Sequence, residues 1–131
     1  MTESSVDIGA LVNFVVENKN VSTTTNICRE CKVNAEDPKS LVKIINYLIN
    51  YLKNITNDAI DITLKEQSAG YLLCFIISTN EKKLPPLSDN LNAALKSYKA
   101  AMRVVFEEGK YVQVLISFCH ENVPDSVVIE V

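Results

Sequence analysis

Apolar residues recur every three or four positions in three stretches of this chain. Ile8, Leu11, Val12 and Val15 line one face of a helix predicted over Asp7–Asn18, with Asp7 as its cap. The strongest periodicity follows Asp37-Pro38, a pair that places an acceptor at the cap and proline at the first helical position. From there Leu41, Ile44, Ile45, Leu48, Leu52 and Ile55 share one face, while Lys39, Lys43, Asn46, Asn50, Lys53 and Asn57 share the other. Tyr47 and Tyr51 fall on the border of the apolar face. A third, long helix is predicted from a cap at Ser88 or Asp89. Its apolar face would be Leu91, Leu95, Tyr98, Met102, Val105 and Phe106, and Gly109 would end it.

Between these lie strand patterns. Val21–Glu30 is β-branched and Thr-rich, as an exposed edge strand is, and Cys31–Ala35 reads as a second short strand. Ala59–Lys65 alternates, with Ile60, Ile62 and Leu64 on one side and Asp61, Thr63 and Lys65 on the other. Gln67–Gly70 is a hairpin turn into Tyr71–Ser78, which is apolar on both faces like a central strand. Thr79–Leu87, with Pro85-Pro86, is a loop. Tyr111–Phe118 and Ser126–Val131 read as a closing hairpin joined by Cys119–Asp125. The order predicts an α+β fold: a two-layer α/β sandwich, its mixed and mostly antiparallel sheet covered on one face by about three helices.

The chain has 131 residues, enough for a single domain over 1–131 that buries roughly two-thirds of its unfolded surface. A net charge of −3 supplies no electrostatic footprint for nucleic acid. No apolar run approaches the roughly 20 residues of a membrane span, and the N-terminus has no basic-then-apolar signal pattern. The expectation is a cytoplasmic protein whose four cysteines (Cys28, Cys31, Cys74, Cys119) are reduced thiols.

Asn34-Ala35-Glu36-Asp37-Pro38-Lys39-Ser40-Leu41-Val42-Lys43-Ile44-Ile45 resembles the strand, Asp-Pro and long pocket-lining helix of the ATP-binding domain of sensor histidine kinases, within the gyrase/Hsp90/histidine-kinase ATPase fold. Phe106-Glu107-Glu108-Gly109-Lys110-Tyr111-Val112-Gln113-Val114 looks like that family's closing helix, glycine turn and strand. The likeness runs from about Val6 to Val131.

The departures fall on the family's ligand-binding boxes. The family's helix carries two asparagines four residues apart, the second of which helps hold Mg²⁺; with Thr56 aligned at the end of the motif, the matching positions here are Tyr47 and Tyr51. A neutral phenol is a poor ligand for a hard cation. An alignment shifted by one residue would instead offer Asn46 and Asn50, which project to the polar face. The Asp-x-Gly-x-Gly box should follow the central strand, where this chain reads Ile77-Ser78-Thr79-Asn80-Glu81-Lys82. Ser78 and Asn80 thus stand as degenerate pocket positions. The glycine-rich lid is replaced by Leu84-Pro85-Pro86-Leu87-Ser88. With only Gly9, Gly70 and Gly109 in the chain, no loop gathers several bare backbone N–H groups around a triphosphate. The phosphoacceptor His helix is absent from the pattern as well.

Cys28-Arg29-Glu30-Cys31 with Cys119-His120 has zinc-ligand spacing, but a single CxxC is a weak signal. In the resembled topology the first and penultimate strands lie at opposite sheet edges, which argues against a shared metal. Cys74 reads as a small core residue and His120 as a solvated loop histidine.

The expectation is therefore a non-catalytic signalling adaptor on a histidine-kinase-type scaffold, with no catalytic residue, cofactor or metal. Its partner would be a protein, a histidine kinase or response regulator being the analogy. Contacts would come from Tyr47 and Tyr51 and from a basic helical stripe of Lys96, Lys99 and Arg103. The alternative is a divergent nucleotide-binding ATPase or kinase of the same fold. Two further readings are a zinc module and a homodimer built through the open sheet face or through the edge carrying Thr23, Thr24, Thr25 and Asn26.

Overall fold

Asp7 does cap the first helix: its carboxylate accepts from the Ala10 N–H at 3.1 Å. The computed structural model describes residues 5–19, 23–27, 31–34, 38–67, 70–119 and 128–130. In chain order these form β1 (Ser5–Asp7), α1 (Ile8–Asn18), β2 (Thr23–Ile27), β3 (Lys32–Asn34), α2 (Lys39–Lys53), β4 (Ile60–Gln67), β5 (Gly70–Ser78), α3 (Leu91–Lys96), β6 (Ala100–Glu107), β7 (Tyr111–Cys119) and β8 (Val128–Glu130).

The main sheet has six strands in the order β2-β4-β5-β7-β6-β8. Its three inner pairings are antiparallel; β2 on β4 and β8 on β6 are parallel. Ile62 opposes Phe75, which opposes Val114, which opposes Val104, a row of fully buried side chains across four strands. Against this face α2 buries Leu41, Ile44, Ile45, Leu48, Ile49 and Leu52, and α1 buries Ile8, Val12 and Val15. Each such side chain contributes about 1.5–3 kcal/mol relative to exposure, so this face stabilises the fold. The opposite face carries Asp61, Leu72, Ile76, Arg103 and Leu115 and is left uncovered by the helices. The fold is the expected two-layer α/β sandwich.

The structure corrects four expectations about the elements and Cys31. The long third helix does not exist: α3 stops at Lys96, the chain reverses through Lys99 at φ 53°, and Ala100–Glu107 is a strand. Ala100, Met102, Val104 and Phe106 are buried while Arg103 is exposed, a period of two in a segment whose apolar residues also satisfy a helical spacing. Phe106–Val114 is accordingly a β6–β7 hairpin, with Gly109 at φ 70° in its turn, rather than the end of a helix. The last strand does not close a hairpin with β7; β8 runs parallel to β6 on its other side. Cys31 is disulfide-bonded rather than a reduced thiol.

The short segment after Cys31 joins a strand that the pattern did not reveal. β3 pairs antiparallel with β1, Val33 opposite Val6, in a separate two-stranded sheet. β2 stands at the edge of the main sheet as expected, whereas the penultimate strand β7 is interior, between β5 and β6. The opposite-edges argument against zinc thus does not hold. Among the described residues no cluster of His, Cys, Asp and Glu could hold a metal ion. Cys28, Asp37 and His120 lie outside the described residues. No helix of the described residues is long and apolar enough to cross a membrane.

Candidate functional site

Tyr47 and Tyr51 sit one turn apart on α2, on the side that meets the long segment between β5 and α3. Their rings stack with centroids 6.3 Å apart and planes 27° apart. Each hydroxyl reaches across to that segment. The Tyr51 hydroxyl donates to the Pro85 carbonyl at 2.6 Å, and the Tyr47 hydroxyl accepts the Ser88 backbone N–H at 2.9 Å. Leu84 and Leu87 alternate with these anchor points and pack against the core. The Pro85–Ser88 stretch is therefore fastened to α2 at both ends.

Burial, with Tyr47 alongside as the smaller cause, pushes the Tyr51 phenol up to about 12. The group stays protonated at neutral pH and keeps its donor role. A cavity of about 400 Å³ remains beside it, lined by Tyr51, Leu84, Pro85, Leu87 and Phe106 with Lys82 and Lys83 among its charged residues.

The end of β5 is fastened as well. Thr79 is buried, donates through Oγ1 to the Ile55 carbonyl at 2.6 Å and accepts the Glu81 N–H at 3.1 Å. Thr56 Oγ1 donates to the Ser78 carbonyl at 2.5 Å and accepts the Asp58 N–H. Backbone bonds from Thr79 N–H to the Lys110 carbonyl and from Gly109 N–H to the Glu81 carbonyl tie the segment to the β6–β7 turn. Ser78 and Asn80 are exposed beside a polar cleft of about 430 Å³, whose other walls include Lys53, Asp58 and Lys110. Among the described residues no buried side-chain polar atom lacks a partner. None of these described side chains is therefore held buried and unpaired.

The structure brings Tyr47 and Tyr51 together and sets Ser78 and Asn80 apart from them, at the polar cleft. Asn50 faces the other side of α2, where its carbonyl oxygen accepts from Lys19 Nζ at 2.8 Å. The basic residues form no helical stripe. Lys96 ends α3, Lys99 lies in the following turn, and Arg103 emerges from β6 on the open sheet face. Thr56, Thr79 and Pro85 carried no sequence signal beyond lying in loops or at strand ends, and Ser88 only that of a helix cap, because their partners are 22 to 41 residues away.

No family model matches the chain, and no curated protein matches it. Solved structures do. The histidine kinase domain of the E. coli osmosensor EnvZ superposes with a TM-score of 0.73 at 8% identity, over 95% of this chain and 92% of that one. Acinetobacter baumannii histidine kinase AdeS gives 0.64 at 12% identity, over 93% and 70%. Full-length ShkA, solved in complex with AMPPNP, gives 0.67 at 13% identity over 96% of this chain, which spans 33% of that protein. The chain has the fold of histidine kinase ATPase domains, as the resemblance implied.

Proposed function

We propose that this chain is a non-catalytic, protein-binding module built on the histidine-kinase ATPase scaffold. The observation that carries this reading is the double fastening of Pro85–Ser88 to Tyr51 and Tyr47. In the resemblance, these tyrosines stand for the family's pair of asparagines, the second of which helps hold Mg²⁺. The segment they hold is, in the same resemblance, the counterpart of the family's glycine-rich lid. Two stacked phenols present no carboxylate or amide oxygen to Mg²⁺. The segment offers no glycine turn for a triphosphate, and its backbone groups at Pro85 and Ser88 are already engaged. The residues present do not fit a bound Mg-nucleotide, and no phosphoryl-transfer step is derived from them. Asn50, the amide that a one-residue shift would recruit, is committed to Lys19.

Thermal denaturation with ATP, ADP or a non-hydrolysable analogue, with and without Mg²⁺, tests the closed site. No shift at millimolar nucleotide is expected. A saturable, Mg²⁺-dependent rise would favour the divergent ATPase or kinase, since ligand at 100 times its Kd stabilises by about 2.7 kcal/mol. The partner is a protein of a two-component system, by analogy with the fold alone. Titration against the kinase dimerisation domains and receiver domains of the source organism tests this. Absence of any complex at high micromolar concentration would overturn it.

A further inference from the structure

Among the described residues, one edge of the main sheet lacks the features that ordinarily protect an edge. β2 (Thr23-Thr24-Thr25-Asn26-Ile27) ends the six-stranded order and, among the described residues, pairs only with β4. That pairing runs through five consecutive registers with no bulge. The outward N–H and C=O groups of an edge are a template for another strand, which proteins blunt with lysine, proline, bulges or very short strands. β2 has no lysine, proline or bulge and no charge at all, in a chain of which 22% of residues are charged. The opposite edge, β8, is three residues long and carries Glu130.

We propose that β2 pairs antiparallel with β2 of a second copy, about a two-fold axis through Thr25. The strand is self-complementary about that residue. The axis sets Thr25 opposite Thr25, Thr24 opposite Asn26, and Thr23 opposite Ile27, so no two like charges meet. Thr–Thr and Thr–Asn neighbours hydrogen-bond across an antiparallel pair. The two faces of the sheet are also preserved. Thr23, Thr25 and Ile27 register with buried Ile60, Ile62 and Leu64 on the helix-covered side, while Thr24 and Asn26 register with Asp61 and Thr63 on the open side. An axis perpendicular to the sheet keeps each set on its own face, so the two six-stranded sheets become one. Two five-residue strands bury far less than the roughly 1,200 Å² of a stable interface. Association is therefore weak and depends on concentration. This inference is independent of whether the chain binds nucleotide.

Sedimentation velocity of the full chain from micromolar to millimolar concentration tests the pairing. The weight-average mass is expected to climb from that of the monomer towards twice that value. Thr25→Lys sets two ammonium groups face to face across the axis and is expected to hold the chain monomeric. Thr24→Lys places each lysine opposite Asn26 and weakens association less. Thr25 and Thr24 are exposed, so neither change disturbs the core; circular dichroism confirms that both variants are folded. Under mild oxidation Thr25→Cys is expected to crosslink to itself at least tenfold faster than Thr24→Cys, because facing Cβ atoms lie about 4.5–5.5 Å apart and diagonal ones farther. The wild-type chain controls for its native cysteines. A monomer at every concentration, equal crosslinking of the two cysteine variants, or undiminished association of Thr25→Lys would each overturn the proposal.

Discussion

The Tyr98 hydroxyl accepts the Leu41 backbone N–H at 2.9 Å, in the interior. Leu41 lies in the first turn of α2, where N–H groups have no intrahelical partner. Pro38 at the cap position offers no side-chain acceptor. A residue just beyond α3 thus caps the first turn of α2 through Leu41, 57 residues earlier. Tyr98→Phe keeps the ring and strands a buried donor. It is expected to destabilise the fold by about 1–3 kcal/mol, measured by urea denaturation, with little change in the slope. A loss below about 0.5 kcal/mol would mean that water or another group takes over the cap.

Tyr51 predicts how stability depends on alkaline pH. Its phenol is raised from the ordinary 10 to about 12 in the folded chain, so between those values the native state holds a proton that the unfolded state releases. Its contribution is fully present below pH 10 and is lost as pH rises towards 12. Tyr51→Phe is expected to flatten that decline. Unfolding free energies of both chains across this window decide the matter, and parallel curves would remove Tyr51 as the cause.

Loosening of Pro85–Ser88 is expected when either hydroxyl is removed. Tyr47→Phe frees the Ser88 N–H and Tyr51→Phe frees the Pro85 carbonyl, each at a cost of about 0.5–1.5 kcal/mol to the fastened state. Amide exchange at Leu84, Leu87 and Ser88 should accelerate about two- to tenfold in either variant, and more in the double variant, while exchange in β5 and β7 stays unchanged. Unaltered exchange at Ser88 in Tyr47→Phe would show that the leucine contacts alone hold the segment.

Lys99 turns the chain from α3 into β6 at φ 53°, a conformation that costs a side-chain-bearing residue about 1–2 kcal/mol. Glycine avoids that cost but adds unfolded-state entropy of about 0.5–1 kcal/mol. Lys99→Gly is therefore expected to raise stability by roughly 0.5–1 kcal/mol in thermal denaturation. Destabilisation would show that the lysine stem makes packing contacts worth more than the strain.

The sequence by itself determined α1, α2, the β4–β5 hairpin and the buried face that joins them. The helices and β4 are each written in one local period, Leu41 to Leu52 at helical spacing and Ile60, Ile62 and Leu64 in steps of two, while β5 is a continuous apolar run after a turn. Leu91–Phe106 was ambiguous, because its apolar residues satisfy both periods. Only packing chose between them. Leu91, Leu95 and Tyr98 are buried from a short helix and its turn, and Met102, Val104 and Phe106 are buried from a strand against β7. The parallel docking of β8 beside β6 joins strands distant along the chain and has no local period. The candidate site divides in the same way. That Tyr47 and Tyr51 share one side of α2, a turn apart, can be read from their spacing, while their match to the family's asparagines is what the resemblance implies. That their hydroxyls grip Pro85 and Ser88 is a relationship between residues 34 and 41 positions apart. Such hydrogen bonds depend on where the sheet places the two segments, and tertiary structure alone decided that.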